Sequence, residues 1–283
     1  MKLGVITDCF KKGTEEGIRI ASELGFDGVQ IYATFGEFSP DNLTDGDIEK
    51  YRALLAECGL KVSALCGDMG GHGFEIAEDN PARVEKTKRI IDLAEKLDSP
   101  VVTTHIGVIP DDPDCEQYKT MLSALRECGD YAKSVGVTMA IETGPELAPV
   151  LHRFVNDAGD GVGVNLDPAN FVMVTGQDPA EAVRLLGKKI VHTHLKDGVR
   201  LKATDPKIIY GHFAEAGIEA LNVADYFLET PVGEGGVDFK EYFAALGEIG
   251  YQGFLTIERE TGKDPKADII LARDFARSTG VLD

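Results

Sequence analysis

Apolar and polar residues follow two rhythms along this chain. Short β-like runs begin at Leu3 (LGVIT), Asp27 (DGVQIY), Leu60 (LKVSALC), Pro100 (PVVTTHI), Val137 (VTMAIET), Val162 (VGVNLD), Ile190 (IVHTHLKD) and Phe254 (FLTIERE). Between them lie stretches with apolar residues at helical spacing, among them EEGIRIASELG, DIEKYRALLAECG, ARVEKTKRIIDLAEKL and MLSALRECGDYAKSVG. Gly25 and Gly59 follow two of these where a left-handed cap is expected. Repeated strand–helix units in a chain of 283 residues predict an α/β fold, a (β/α)8 TIM barrel, as one domain over residues 1–283. An open doubly wound sheet is the alternative, but no GxGxxG follows the first strand.

One connection breaks the rhythm. Between the seventh strand and its helix the chain runs from Gly198 to Gly236, roughly 40 residues where 2–6 are usual. It contains GIEALNVADYFLE, a candidate helix, and ends in the turn-rich PVGEGG. A long excursion at the C-terminal mouth of a barrel serves most often as a substrate lid or an oligomer contact. Tyr210 and His212 within it are candidate lid contacts. The GEGG of Gly233 to Gly236 could cradle a phosphate ahead of a helix, but Glu234 would repel one, so a turn is the expectation.

Strand alternation then locates the chemistry. Residues two apart share a face, and barrel active sites form at the C-terminal ends of the strands. On the fifth strand Val137, Met139 and Ile141 face the helices, leaving Thr138, Ala140 and Glu142 inward. The sixth turns Gly163, Asn165 and Asp167 inward, the seventh His192, His194 and Lys196, and the eighth Thr256 and Glu258. Glu142, Asp167, His194 and Glu258 therefore crowd one rim. Three carboxylates so placed repel one another unless a cation neutralises them. One divalent metal on three oxygens and one imidazole nitrogen is the economical account. Such donors favour Mn²⁺ first, with Mg²⁺, Co²⁺ and Zn²⁺ as alternatives. The competing reading is a structural ion-pair network.

Around that set, His192, one pleat deeper, is expected to hydrogen-bond a ligand or the substrate. His105, ending the fourth strand, could orient a substrate hydroxyl or relay a proton, or simply be a bonded rim residue. Lys196 could stabilise negative charge or pair with an acid. His72, in the glycine loop GDMGGHGF, is a further candidate substrate contact, and Cys66 is expected only to pack.

The charge balance narrows the partners. Asp and Glu number 48 against 29 Lys and Arg, a net charge of −19 that repels phosphate backbones and anionic membranes. Nucleic acid and membranes are thus not expected partners. No apolar run reaches the roughly 18 residues of a membrane span, and Met1 to Thr7 reads as a first strand rather than a leader. The five cysteines show no CxxC spacing, which fits free thiols in a reducing compartment. A soluble cytoplasmic protein is expected.

The motifs ETGPE, NLDPAN, HTHLKDGVR and TIERE at the ends of strands five to eight resemble the xylose isomerase-like TIM barrel superfamily. More narrowly they resemble its sugar phosphate isomerase/epimerase group, with ketose 3-epimerases and inosose dehydratases. That resemblance implies a metal on Glu142, Asp167, His194 and Glu258, with Glu142 and Glu258 as acid/base catalysts and Arg200 on substrate oxygens. It also implies a homo-oligomer, dimer or tetramer. One departure stands out: ketose 3-epimerases usually read D-x-x-H where this chain has Asp167-Pro168-Ala169-Asn170. Asn170 could bond a sugar hydroxyl or close a local turn. The same departure, with the charge, argues against the DNA-repair endonucleases of the superfamily.

The expected function is a metal-dependent isomerase or epimerase of a sugar, keto-sugar or sugar phosphate, working through an enediolate. A lyase on the same scaffold is the alternative, acting as an inosose dehydratase does or by β-elimination from a C-glycoside or 3-keto-glycoside. A non-catalytic sugar-binding barrel is the third reading.

Overall fold

A computed structural model of the chain describes residues 1–215 and 222–282. Eight parallel strands close into a barrel: β1 (Lys2–Ile6), β2 (Gly28–Tyr32), β3 (Lys61–Cys66), β4 (Val101–Thr104), β5 (Thr138–Glu142), β6 (Val162–Leu166), β7 (Ile190–Leu195) and, after the long excursion, β10 (Phe254–Ile257). β10 pairs with β7 on one side and β1 on the other, which closes the ring. The open-sheet alternative is excluded.

The surrounding helices form where the amphipathic stretches predict. The helix α1 (Thr14–Glu23) is followed by Gly25 at φ 75°. The next, α2 (Asp45–Cys58), opens on a capping box in which Thr44 and Asp47 satisfy each other's backbone amides, and Gly59 at φ 67° ends it. After them come α3 (Asn80–Lys96), α4 (Glu116–Ser134), α5 (Ala148–Ala158), the single turn α6 (Pro168–Asn170) and α7 (Pro179–Leu186). Val29, Ile31, Leu65, Val102, Met139, Ile141, Val164 and Leu195 are buried in the core between strands and helices, as apolar burial on a parallel sheet covered by helices demands.

Inside the barrel, the lower layer is small and apolar: Ala64, Val101 and Ala140, with Val191 against them. Alternation alone would turn Val191 outward with Thr193 and Leu195. The register between β6 and β7 instead slips between Val164 and Asn165, so Ile190 and His192 oppose consecutive residues and Val191 turns in.

The excursion is built, not loose. Past Lys196, which lies beyond the end of β7, the chain forms β8 (Asp197–Arg200) and α8 (Pro206–Ala214), then returns as β9 (Phe227–Thr230), antiparallel to β8. The barrel then resumes through α9 (Phe239–Glu248), and α10 (Pro265–Ser278) follows β10. The helix expected over GIEALNVADYFLE is corrected: Phe227–Thr230 is strand, since its FLE alternation suits pairing with β8, and Val223–Asp225 is a short 3-10 turn. Gly217 to Leu221 of that expectation fall outside the described residues.

Gly233–Gly236 does form a turn, and its amides do cradle an anion. That anion is the chain's own Asp197 carboxylate, which accepts from Gly198, Gly233, Gly235 and Val237 N–H at 2.8–3.1 Å. A Cβ on Gly235 would run into that carboxylate, so the latch requires glycine there. Among the described residues no helix is long and apolar enough to cross a membrane.

Candidate metal centre and active site

Glu142, Asp167, His194 and Glu258 meet at the C-terminal mouth, all buried, with one donor atom from each lying within 4.8 Å of the others. Each arrives by a different local device. Glu142 is the last residue of β5, and Glu258 follows the last residue of β10. Asp167 caps the α6 turn: its Oδ1 accepts from Ala169 and Asn170 N–H at 2.7 and 3.1 Å, which locks the carboxylate and leaves Oδ2 facing the cluster. His194 sits on β7 with Nδ1 2.6 Å from Glu258 Oε2 and 3.5 Å from both Glu142 Oε1 and Asp167 Oδ2.

Those atoms fit a divalent ion. Asp167 Oδ2 is buried without a hydrogen-bond partner, and Glu258 Oε2 and His194 Nδ1, though 2.6 Å apart, make no aligned hydrogen bond, a cost that convergence on a cation removes. The donor set, three carboxylates and an imidazole, is one that hard divalent ions accept. Without an ion, burial disfavours a charged imidazole, yet the Glu142 and Glu258 carboxylates outweigh it and push the His194 pKa well up. Metal and proton thus compete for the same nitrogen.

The imidazole is oriented from behind. His194 Nε2 donates to Gln30 Oε1 at 3.0 Å across the barrel, and Gln30 Nε2 donates to Thr103 at 3.2 Å. A proton on Nε2 leaves the Nδ1 lone pair pointing at the cluster, the state a metal ligand needs. A second chain orients Glu142. Asn165 Nδ2 donates to Glu142 Oε2 at 3.2 Å, and its Oδ1 accepts from His192 Nδ1 at 2.8 Å. Thr256 donates to His192 Nε2 at 2.9 Å.

His192 therefore does not face a ligand as expected. Both its nitrogens are taken by the protein below the cluster, and burial, with His194 nearby, holds its pKa well down and keeps it neutral. It acts on Glu142 through Asn165. The reason is depth: His192 lies one pleat below His194 on the same face, and the slip at Val191 sets it level with Asn165 inside the barrel.

The other expected residues divide. Lys196 is buried, with Nζ 2.7 Å from Glu258 Oε1, 3.2 Å from Glu260 and 3.9 Å from both Asp167 and Glu229. Burial raises the Glu258 pKa, but Lys196 and His194 overcome it and hold the carboxyl well below its ordinary value. His105 lies 3.7 Å from Glu142 Oε1, on the cavity side. Asn170 and His72 also line the cavity; Asn170 donates to the Thr143 carbonyl at 3.0 Å, and His72 lies 3.7 Å from Glu75. Arg200, assigned to substrate oxygens, is instead turned onto the Thr175 carbonyl at 3.1 Å and does not line the cavity. The β8–β9 pairing carries its side chain toward the turn after α6. Tyr210 lines the cavity, and so does buried Cys66.

Sequence reasoning missed Gln30, Thr103 and the bonds made by Asn165 and Thr256. The usable signal was an amide within the apolar GVQIY. Also missed was the network in which Arg259 binds Glu229 at 2.7 Å and Asp268 at 2.8 Å, tying β9 to the end of β10. The cavity above the cluster encloses about 800 Å³.

A closed (β/α)8 barrel with a buried carboxylate–imidazole cluster at its C-terminal mouth defines the class: a barrel whose cluster can coordinate a divalent ion beside a substrate-sized cavity. The chain belongs to the xylose isomerase-like TIM barrel family, whose model matches residues 18–279. It is similar to fructoselysine 3-epimerase of Shigella flexneri, 24% identical over 280 residues covering 92% of this chain and 91% of that protein. It is similar in part to inosose dehydratase of Geobacillus thermodenitrificans, 25% identical over 175 residues, 58% of this chain and 55% of that one. A solved xylose isomerase domain protein from Planctomyces limnophilus superposes with a TM-score of 0.77 at 26% identity, over 99% of this chain and 96% of its own.

Proposed function

We propose that this protein is a divalent-metal-dependent isomerase or epimerase of a sugar, keto-sugar or sugar phosphate, with Mn²⁺ as its metal. The observation that carries the reading is the buried cluster of Glu142, Asp167, His194 and Glu258, whose donor atoms converge below a cavity. Similarity to a 3-epimerase over nearly the whole chain supports it.

Glu142, Asp167, His194 and Glu258 would hold the ion, which supplies the Lewis acid that makes a C–H beside a carbonyl acidic enough to lose. Proton transfer belongs to the two glutamates. In the barrel order β10–β7–β6–β5, Glu258 and Glu142 flank the strands that carry His194 and Asp167, so they reach a substrate from two sides. One removes the proton and the other returns it on the opposite face, which inverts the carbon. Lys196, 2.7 Å from Glu258 Oε1, keeps that carboxylate ionised. His105, beside Glu142 at 3.7 Å, can exchange that proton with solvent in the cavity.

The test is deuterium uptake at the carbon next to the carbonyl, followed by NMR across a keto-sugar panel with and without Mn²⁺. Metal-dependent exchange on at least one sugar is expected, with Glu142→Gln and Glu258→Gln each reducing it about 10²–10⁴-fold. Absence of exchange on every member sinks the proposal. Loss of water or aglycone in the product mass assigns the lyase alternative instead.

A further inference from the structure

The cavity is split by chemistry. Its floor carries Glu142, His194, Glu258, Lys196 and His105, the groups a sugar's oxygens can use. Its lid-side wall is mainly apolar: Ile209, Tyr210 and Phe213 from α8, Val223, and Phe227 and Leu228 from β9, with Lys207 and the Arg259-paired Glu229 as its charged members. Phe213 and Leu228 line the cavity and remain 57% and 51% exposed, large apolar side chains left without full cover by the described residues.

A monosaccharide seated on the floor does not fill this space. The volume of about 800 Å³ is several times that of a hexose and lies near the top of the range for drug-sized ligands. More hydroxyls placed against the lid-side wall would lose water without gaining partners, which costs binding energy.

Nor does the wall suit a charged appendage. Lys196 is already committed to Glu258 and Glu260, and Arg200 points elsewhere. A phosphate at the far end would find Lys207 and His72, with Asp68, Glu75, Glu229 and Glu260 also in the lining. An ammonium group would find the carboxylates of Asp68 and Glu75 between β3 and α3 rather than on this wall, where Glu229 is already paired with Arg259. Asp68 accepts from Gly70 N–H, Glu75 from Val108 N–H, Glu229 from Arg259 and Glu260 from Lys196.

We infer that the α8–β9 wall is a subsite for an uncharged, aromatic-sized group, so that the substrate is an extended sugar such as a glycoside with an apolar aglycone. The inference rests on the reading of the floor as a carbohydrate site, and it deepens that reading by naming the substrate class.

Calorimetric titration of the Mn²⁺-loaded full chain with methyl β-D-glucoside, phenyl β-D-glucoside and glucose 6-phosphate tests it. The phenyl glycoside is expected to bind at least about tenfold more tightly than the methyl one, equivalent to about 1.4 kcal/mol, with the phosphate weakest. The double variant Phe213→Ser, Leu228→Ser, with folding checked by thermal melting, is expected to bring the phenyl-to-methyl ratio close to one. Equal affinities, a tightest-binding phosphate, no phenyl binding, or a ratio unmoved in the variant each overturn the subsite. The two readings fail separately. Phenyl preference without deuterium exchange on any keto-sugar leaves the subsite standing and removes the isomerase. Exchange on free keto-sugars without phenyl preference does the reverse.

Discussion

The two halves of the barrel interior do different work. Strands β5, β6, β7 and β10 end in Glu142, Asp167, His194 and Glu258, and every donor of the candidate metal centre comes from them or the residue that follows. Strands β2, β3 and β4 face the same interior with Gln30, Ser63 and Thr103, neutral groups that bond one another and the back of the histidines. The contrast teaches that the charge sits on one wall while its orientation comes from both. Gln30 and Thr103 across the barrel fix His194, and Asn165, His192 and Thr256 on the ligand wall fix Glu142. Crowded ligands need a rigid, uncharged scaffold across from them, because one more ionised group in so dry a space would shift their protonation.

The comparison breaks most visibly if a ligand of the second half is removed. Asp167→Ala or Glu142→Ala is expected to lower metal affinity by more than about 100-fold, since outer partners alone are worth 10–100-fold. Near-full metal occupancy in both variants by elemental analysis would show that the cluster holds no ion.

A second effect belongs to the same half but not to the metal. Glu146, between β5 and α5, has a buried Oε1 without a partner, and burial pushes its carboxyl up to about 7. The folded state therefore binds this proton more tightly than the unfolded chain, whose value is 4.5. The contribution of this proton is full below about pH 4.5 and is lost as pH rises through 7, a loss of roughly 3 kcal/mol. Glu146→Gln is expected to flatten that decline, read as denaturation midpoints between pH 5 and 8. An unchanged slope would mean the group is not the titrating one.

Across the barrel the effects are smaller and sharpen the division. Gln30→Leu leaves all four ligands in place but removes the acceptor that fixes the His194 tautomer. A 10–100-fold loss of metal affinity is expected, with Gln30→Glu restoring part of it. Nitrogen-15 shifts of His194 in the variant loaded with diamagnetic Zn²⁺, where Nδ1 is unprotonated, report whether Nε2 is still held as a donor, and unaltered shifts would refute the role. The smallest change is Thr44→Ala at the cap of α2. It should cost about 1 kcal/mol of stability and leave metal binding alone; altered metal affinity there would show that the first half is not merely scaffold.

Much of this was legible before the structure. Strand positions follow from β-branched runs, and the period of two placed Glu142, Asp167, His194 and Glu258 on one face because a pleated strand has no other choice. Gly25 and Gly59 marked helix ends through a backbone conformation that glycine takes freely. The failures have equally local causes. His192 shares the face of His194 but lies one pleat deeper, among Asn165 and Thr256, and the slip beside Val191 that sets its level is announced by no pattern in IVHTHLKD. Arg200 stood at a plausible distance in sequence, but the pairing of β8 with β9 sent it to the Thr175 carbonyl.

Which residue types stand in which alternation is therefore written in the chain: eight staves, an acidic rim and a histidine among the acids. Partners from distant segments are not. Gln30 reaches His194 over 164 residues, and Asp197 finds its amides nearly 40 residues on. Periodicity is a property of neighbours along the backbone, whereas a hydrogen bond across a barrel depends on closure, register and the depth at which each side chain enters, and those are set when the whole sheet curls shut.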